Sequence, residues 1–138
     1  MESDPTALGL PHREPFLFID RVVSLVVGEE AVGSKTFRPD DPMFRGHFPG
    51  DPIVPGVILT EALAQLAGIA GAGEEGRGFL LSGIRAMKFP SPARPGEAIE
   101  LSAKKSGGLG GLLQFDVEAR TGERTVASGS LILNETPR

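Results

Sequence analysis

The chain of 138 residues has no cysteine, no tryptophan and no tyrosine. Without cysteine there are no disulfides and no thiolate metal sites, and a reducing cytoplasm is compatible. Without tyrosine no phenol can act as a catalytic acid. Basic residues are outnumbered, 14 against 18 acidic, and the net charge of −4 argues against a nucleic-acid partner. The opening "MESDPTALGL" lacks a basic segment, so it does not read as a signal peptide. The longest apolar stretch, residues 53–72, is interrupted by Glu61, Gln65 and several glycines. It reads as a buried helix rather than a membrane span. Histidine is scarce, with two in the chain.

What is present suffices for a core. Apolar residues make up 40%, and the length suits one domain over residues 1–138. "FLFIDRVVSLVV" (16–27) and "AVGSKTF" (31–37) read as strands. "RPDDPMFRGHFPGDP" (38–52) is proline-rich loop. Pro55 suits the first helical position, and "GVILTEALAQLAGIAGA" follows, with Gly71 and Gly73 as stops. Glu74, Glu75 and Arg77 read as a solvated connection. Four strands come next, over 79–89, 97–106, 112–120 and 125–134. "GGLGG" and "TGER" are expected as hairpin turns between the later ones. Strands joined by short turns predict an antiparallel sheet, an α+β arrangement. The helix is apolar nearly all round, so the sheet is expected to wrap it.

Three residues gather near the helix start. His47 lies on the stiff "GHFPG" loop. Gly56 opens the helix, where an N–H has no intrahelical acceptor and the dipole favours negative charge. Glu61 is a carboxyl in an otherwise apolar helix, with Gln65 one turn later on the same face. Burying a carboxylate is costly unless it is paired, and burial favours the protonated acid. Histidine, with an ordinary pKa of ~6.5, can act as a base at neutral pH. A base, an acid and an oxyanion donor suit elimination of water beside a thioester carbonyl. His12, in "LPHREPF", reads as structural, part of a folded-back N-terminal segment.

"GHFPGDPIVPGVILTEALAQ" (46–65) closely resembles the signature of the 3-hydroxyacyl-[acyl-carrier-protein] dehydratases of FabZ type. "LPHREPFLFIDRV" (10–22) and "GIRAMKFPSPARPGEAIEL" (83–101) are similar to further motifs of that family. The resemblance implies a hotdog fold, an antiparallel sheet wrapped around one long central helix. It implies His47 and Glu61 as catalytic residues, Gly56 as oxyanion donor and Gln65 in support. It implies an acyl tunnel, for which Val54, Phe79, Met87 and Phe89 are candidate walls. It further implies an acyl carrier protein as partner and a homodimer sharing its site between subunits, three of which can form a hexamer. Family members sometimes have an unusual, strained peptide bond near this histidine. No cofactor or metal is needed, and a cytoplasmic setting is expected, with no nucleic-acid or membrane partner.

FabA-type relatives, which also isomerise the double bond, carry aspartate where this chain has Glu61, so plain dehydration is favoured. Family members often have methionine at Val54, aspartate at Arg85 and basic residues near Pro90 and Ser91. Arg85, Lys88 and Arg94 are the alternative cations for an acidic carrier. The rival readings are a hotdog thioesterase, which would need no His47, and a non-catalytic acyl-binding or assembly subunit.

Overall fold

The computed structural model describes residues 2–72 and 78–136. The expected helix stop at Gly73 and the connection holding Glu74, Glu75 and Arg77 lie outside them. Strands β1 (Arg21–Val26) and β2 (Glu30–Thr36) form a hairpin. Helix α1 (Gly56–Ala72) follows, then β3 (Gly78–Lys88), β4 (Ala98–Leu109), β5 (Leu112–Thr121) and β6 (Arg124–Thr136). All pairings are antiparallel, in the order β1-β2-β4-β5-β6-β3. This six-stranded sheet wrapped on one helix is the hotdog arrangement that the resemblance implies.

Period-two burial explains the wrap. Ile99, Leu101 and Ala103 on β4, then Phe115, Val117 and Ala119 on β5, are buried on one face. Leu131 and Leu133 continue that face on β6, with Phe115 opposite Leu131. Against them lie Leu59, Ala62, Leu63, Leu66, Ala67 and Ala70 of α1. Gly33 of β2 lets the helix approach, since a Cβ there would stand 3.2 Å from Leu66 Cδ1. Truncating a fully buried leucine such as Leu63 or Leu66 would cost about 2–5 kcal/mol.

Three boundaries differ from the sequence reading. The first strand begins at Arg21, not at residue 16. Residues 16–18 are irregular and give backbone groups to Gln65 of the helix: Phe18 N–H donates to Gln65 Oε1, and Phe16 C=O accepts from Gln65 Nε2. They are thus tied to α1, not to a neighbouring strand. The glycines at 107 and 108 are not all turn. They pair with Gln114 and Leu113 beyond a bulge at Lys105/Gly107, and the turn narrows to Gly110-Gly111. Pro55 stands one residue before the helix, and its carbonyl accepts from Ile58 and Leu59 N–H.

The other turn, at Gly122-Glu123, falls within the expected "TGER". Gly110 (φ 63°) and Gly122 (φ 59°) take the left-handed conformation that two-residue hairpins require. The N-terminal segment opens with a 3-10 turn, Pro5–Leu8, capped by Asp4. The hydroxyl and then the amide of Thr6 hold the Asp4 carboxyl below its ordinary value. Among the described residues, no helix is long and apolar enough to cross a membrane.

Strand β3 lies at the sheet edge. Leu80, Leu81 and Ile84 are exposed along it. A long apolar edge of this kind is a template for pairing with another chain.

Candidate active site

The loop before α1 aims His47. A second 3-10 turn, Pro42–Arg45, is capped by Asp41 through Met43 N–H. After it the backbone turns sharply: Phe48 has φ 56° and Gly50 φ 91°. A bulky residue held at positive φ stores about 1–3 kcal/mol. The strain beside His47 thus lies in the Phe48 dihedral, not in the peptide bond that the resemblance suggested. Among the described residues the one cis peptide is Glu14-Pro15, in the N-terminal segment. The Phe48 ring meets the His47 ring edge-on at 4.8 Å. Beyond the turn, Val54 N–H donates to Ala93 C=O and pins the loop to the sheet side.

His47 Nδ1 lies 3.0 Å from Ile53 C=O. A carbonyl only accepts, so Nδ1 carries the proton and the neutral ring keeps its lone pair on Nε2. The loop thereby fixes the tautomer. Nine residues on, the N–H groups of Gly56 and Val57 have no acceptor among the described residues, as expected for a first helical turn. Gly56 is also constrained sterically. A Cβ there would stand 3.1 Å from Cε1 of Phe89, which covers it.

Glu61 is one turn further along. It is partly buried rather than fully enclosed, its side chain 22% exposed. Gln65, 1% exposed, donates from Nε2 to Glu61 Oε2 at 3.0 Å. The same amide holds Phe16 C=O and Phe18 N–H, each at 3.0 Å. Gln65 thus makes three hydrogen bonds and locks the carboxyl to the folded-back N-terminal segment. That segment brings His12 Nε2 to 3.5 Å from Glu61 Oε2.

A cavity of about 230 Å³ opens on this face of α1, lined among others by His12, Glu61, Gln65, Gly68, Phe79 and Leu81. Of the expected tunnel walls, Phe79 lines it. Val54 is in the core instead, 3% exposed, and Met87 packs against that core. Met87 sits behind a bulge in β3 where Ala86 has φ 53°, and only a glycine fits opposite, at Gly129. Phe89 lies over Gly56, outside the cavity. Neither His47 nor Gly56 lines the cavity that holds Glu61.

His12 was expected to be structural, in a folded-back N-terminal segment; that segment places its ring beside the carboxyl, a contact that the sequence reading did not foresee. The available signal was its place in "LPHREPF", one of the stretches carrying the family resemblance. Of the cations considered for a carrier surface, Arg94 is engaged with Asp51 at 3.4 Å. Arg85 and Lys88 are exposed on β3 and have no ion-pair partner among the described residues.

Fold and site define a hotdog protein with a paired carboxyl and a tautomer-fixed histidine at a helix start. The FabA-like domain family matches residues 10–130, and the chain belongs to that family. Among relatives, the 3-hydroxyacyl-[acyl-carrier-protein] dehydratase FabZ of Caldanaerobacter subterraneus subsp. tengcongensis is 40% identical over 135 residues, 96% of each chain. That of Ruminiclostridium cellulolyticum is 42% identical, covering 88% of each. Among solved structures, the dehydratase heterocomplex ApeI:P of Xenorhabdus doucetiae superposes with a TM-score of 0.78 at 17% identity, over 98% of this chain and 93% of that one. The fluoroacetyl-CoA thioesterase FlK gives 0.66 at 20% identity, over 82% and 89%. At such identities these two show the fold alone.

Proposed function

We propose that this protein dehydrates (3R)-3-hydroxyacyl thioesters on acyl carrier protein, giving trans-2-enoyl thioesters in fatty acid biosynthesis. One observation carries the reading. The Ile53 carbonyl holds the proton of neutral His47 on Nδ1 and leaves Nε2 free as a base. The near-full-length relatives named FabZ support the same reaction.

The steps follow from the groups present. His47 Nε2 removes the α-proton. Charge moves onto the thioester oxygen, which the Gly56 N–H receives at the positive end of the helix. The enolate electrons then form the α,β double bond as the C–O bond to the β-hydroxyl breaks. Glu61 gives its proton to the departing oxygen, which leaves as water. A free carboxyl oxygen is required for that last transfer, and Oε1 has no partner among the described residues.

We infer further that the working site is shared by two copies of the chain. His47 from one subunit would face Glu61 from the other across paired β3 edges. Two observations support this: His47 does not line the cavity of its own Glu61, and β3 presents Leu80, Leu81 and Ile84 to solvent. A hexamer of three such dimers is compatible. Arg85 and Lys88 would meet the acidic carrier, and the cytoplasm would be the setting.

The test supplies a 3-hydroxyacyl carrier-protein thioester and follows enoyl formation and free thiol together. Enoyl product with no thiol is expected, and His47→Ala should reduce it by about 10²–10⁴-fold. Thiol release without enoyl product would favour thioester hydrolysis and overturn the proposal.

A further inference from the structure

Two side chains approach one oxygen of Glu61, one by a hydrogen bond and one at ion-pair distance. Gln65 Nε2 donates to Oε2 at 3.0 Å, and His12 Nε2 stands 3.5 Å from the same atom. The other His12 nitrogen, Nδ1, is buried and has no partner among the described residues. A buried N–H without an acceptor is costly, whereas a bare ring nitrogen is less so. The ring proton therefore belongs on Nε2, aimed at Glu61. We propose that His12 is a positioning residue for Glu61: with Gln65 it claims Oε2, so the proton that Glu61 delivers is carried on Oε1. The inference rests on the dehydratase reading above and deepens it.

The surroundings suit this role. Among the described residues, His12 and Glu61 are the only titratable side chains lining the cavity; what faces them from β3 and β6 is apolar, Phe79, Leu80, Leu81 and Leu133. Glu61 is the only charged residue of α1. Arg13, next in sequence, turns its guanidinium to the carbonyls of Leu10 and His12. In a shared site, His47 would approach from the partner. The His12 ring itself is fixed by stacking on Phe16, at 6.1 Å and 28°. Phe16 C=O in turn is held by Gln65, so one network places both donors.

The consequence is kinetic. As Glu61 gives up its Oε1 proton, negative charge grows on the carboxyl. The Gln65 N–H on Oε2 and the His12 ring 3.5 Å from it stabilise that charge more than they stabilise the neutral acid. His12 thus acts on the chemical step and not on substrate binding.

Three measurements on the full-length protein test this. His12→Phe keeps an aromatic ring against Phe16 and deletes the donor, whereas His12→Gln keeps an N–H at a similar reach. The first should lower kcat by roughly 10- to 100-fold with KM little changed. It should also move the alkaline limb of the rate profile to higher pH, because a stabiliser of the ionised carboxyl is gone. His12→Gln should restore most of kcat and return the limb. Independently, histidine-labelled wild-type protein, at a pH high enough that both rings are neutral, should show opposite tautomers by nitrogen NMR, Nδ1–H for His47 and Nε2–H for His12. Unchanged kcat in His12→Phe, equal losses in both variants with an unmoved limb, or an Nδ1–H tautomer at His12 would each overturn the inference. A wild-type protein that forms no enoyl product overturns instead the reading on which it rests.

Discussion

Replacing Gln65 with leucine separates packing from chemistry at the centre of the site. The two side chains are of similar size, so the buried space stays filled. Three hydrogen bonds vanish. Phe18 N–H is left buried without an acceptor, which costs about 1–3 kcal/mol. Phe16 C=O loses its donor too, but Phe16 is half exposed and water can replace much of that bond. Leucine's extra apolar burial offsets part of the loss, leaving a net of about 1–2 kcal/mol. For 138 residues the unfolding entropy is about 0.3 kcal/mol/K, so Tm should fall by about 3–7 °C at fixed protein concentration. The third bond holds Glu61, and its loss should lower kcat by about tenfold even in fully folded protein. Gln65→Glu is the sharper partner variant. It can still accept from Phe18 N–H, but it has no donor for Phe16 and puts a second carboxyl about 3.0 Å from Glu61. Two carboxyls that close cannot both ionise. The folded state therefore favours a shared proton, and this variant should lose stability as pH rises. Scanning calorimetry across pH, with turnover measured below each Tm, reads all of this. A leucine variant that melts with the wild type and turns over normally would refute the assigned role of the clamp.

Mixing His47→Ala with Glu61→Gln subunits should restore about a quarter of wild-type turnover after unfolding and reassembly, because half the dimers are mixed and one of their two sites is intact. No recovery, with mixed dimers demonstrated, would place both groups in one chain. Gly56→Ala should cost about 1 kcal/mol in denaturant unfolding, since its Cβ would press on the Phe89 ring at 3.1 Å. In a Phe89→Ala background the same change should be neutral or stabilising, and simple additivity would exclude the contact as the cause.

How far the sequence could be read follows from the range of each interaction. The strands β2, β4, β5 and β6 and the helix are set by local periodicity and by punctuation such as Gly122 and Pro55, and they fall within a residue or a few of expectation. Glu61 and Gln65 share a helix face by spacing alone, so their pairing was legible too. The other bonds of Gln65 were not. They run to Phe16 and Phe18 over separations of 49 and 47 residues, and no local pattern records them. The same long-range bonds explain why residues 16–18 look like strand and are not. Their aromatic and aliphatic content is that of a strand, but their backbone groups go to a side chain.

The contact of His12 with Glu61 was illegible for the same reason. In a proline-bounded segment a histidine has no periodic neighbours, so its role depends on where the segment folds. Gln65 decides that. It ties down Phe16, Phe16 stacks on His12, and His12 then faces the carboxyl that Gln65 also holds. One buried amide thus links the acid to the N-terminal segment. On the opposite loop the peptide carbonyl of Ile53 performs the matching task for His47. Each titratable group is set by a neutral partner that fixes where its proton can sit. In the proposed reaction, an acid and a base whose protons are fixed in place would need little reorganisation, which would give a physical reason for one helix to carry both a glycine start and a buried glutamine.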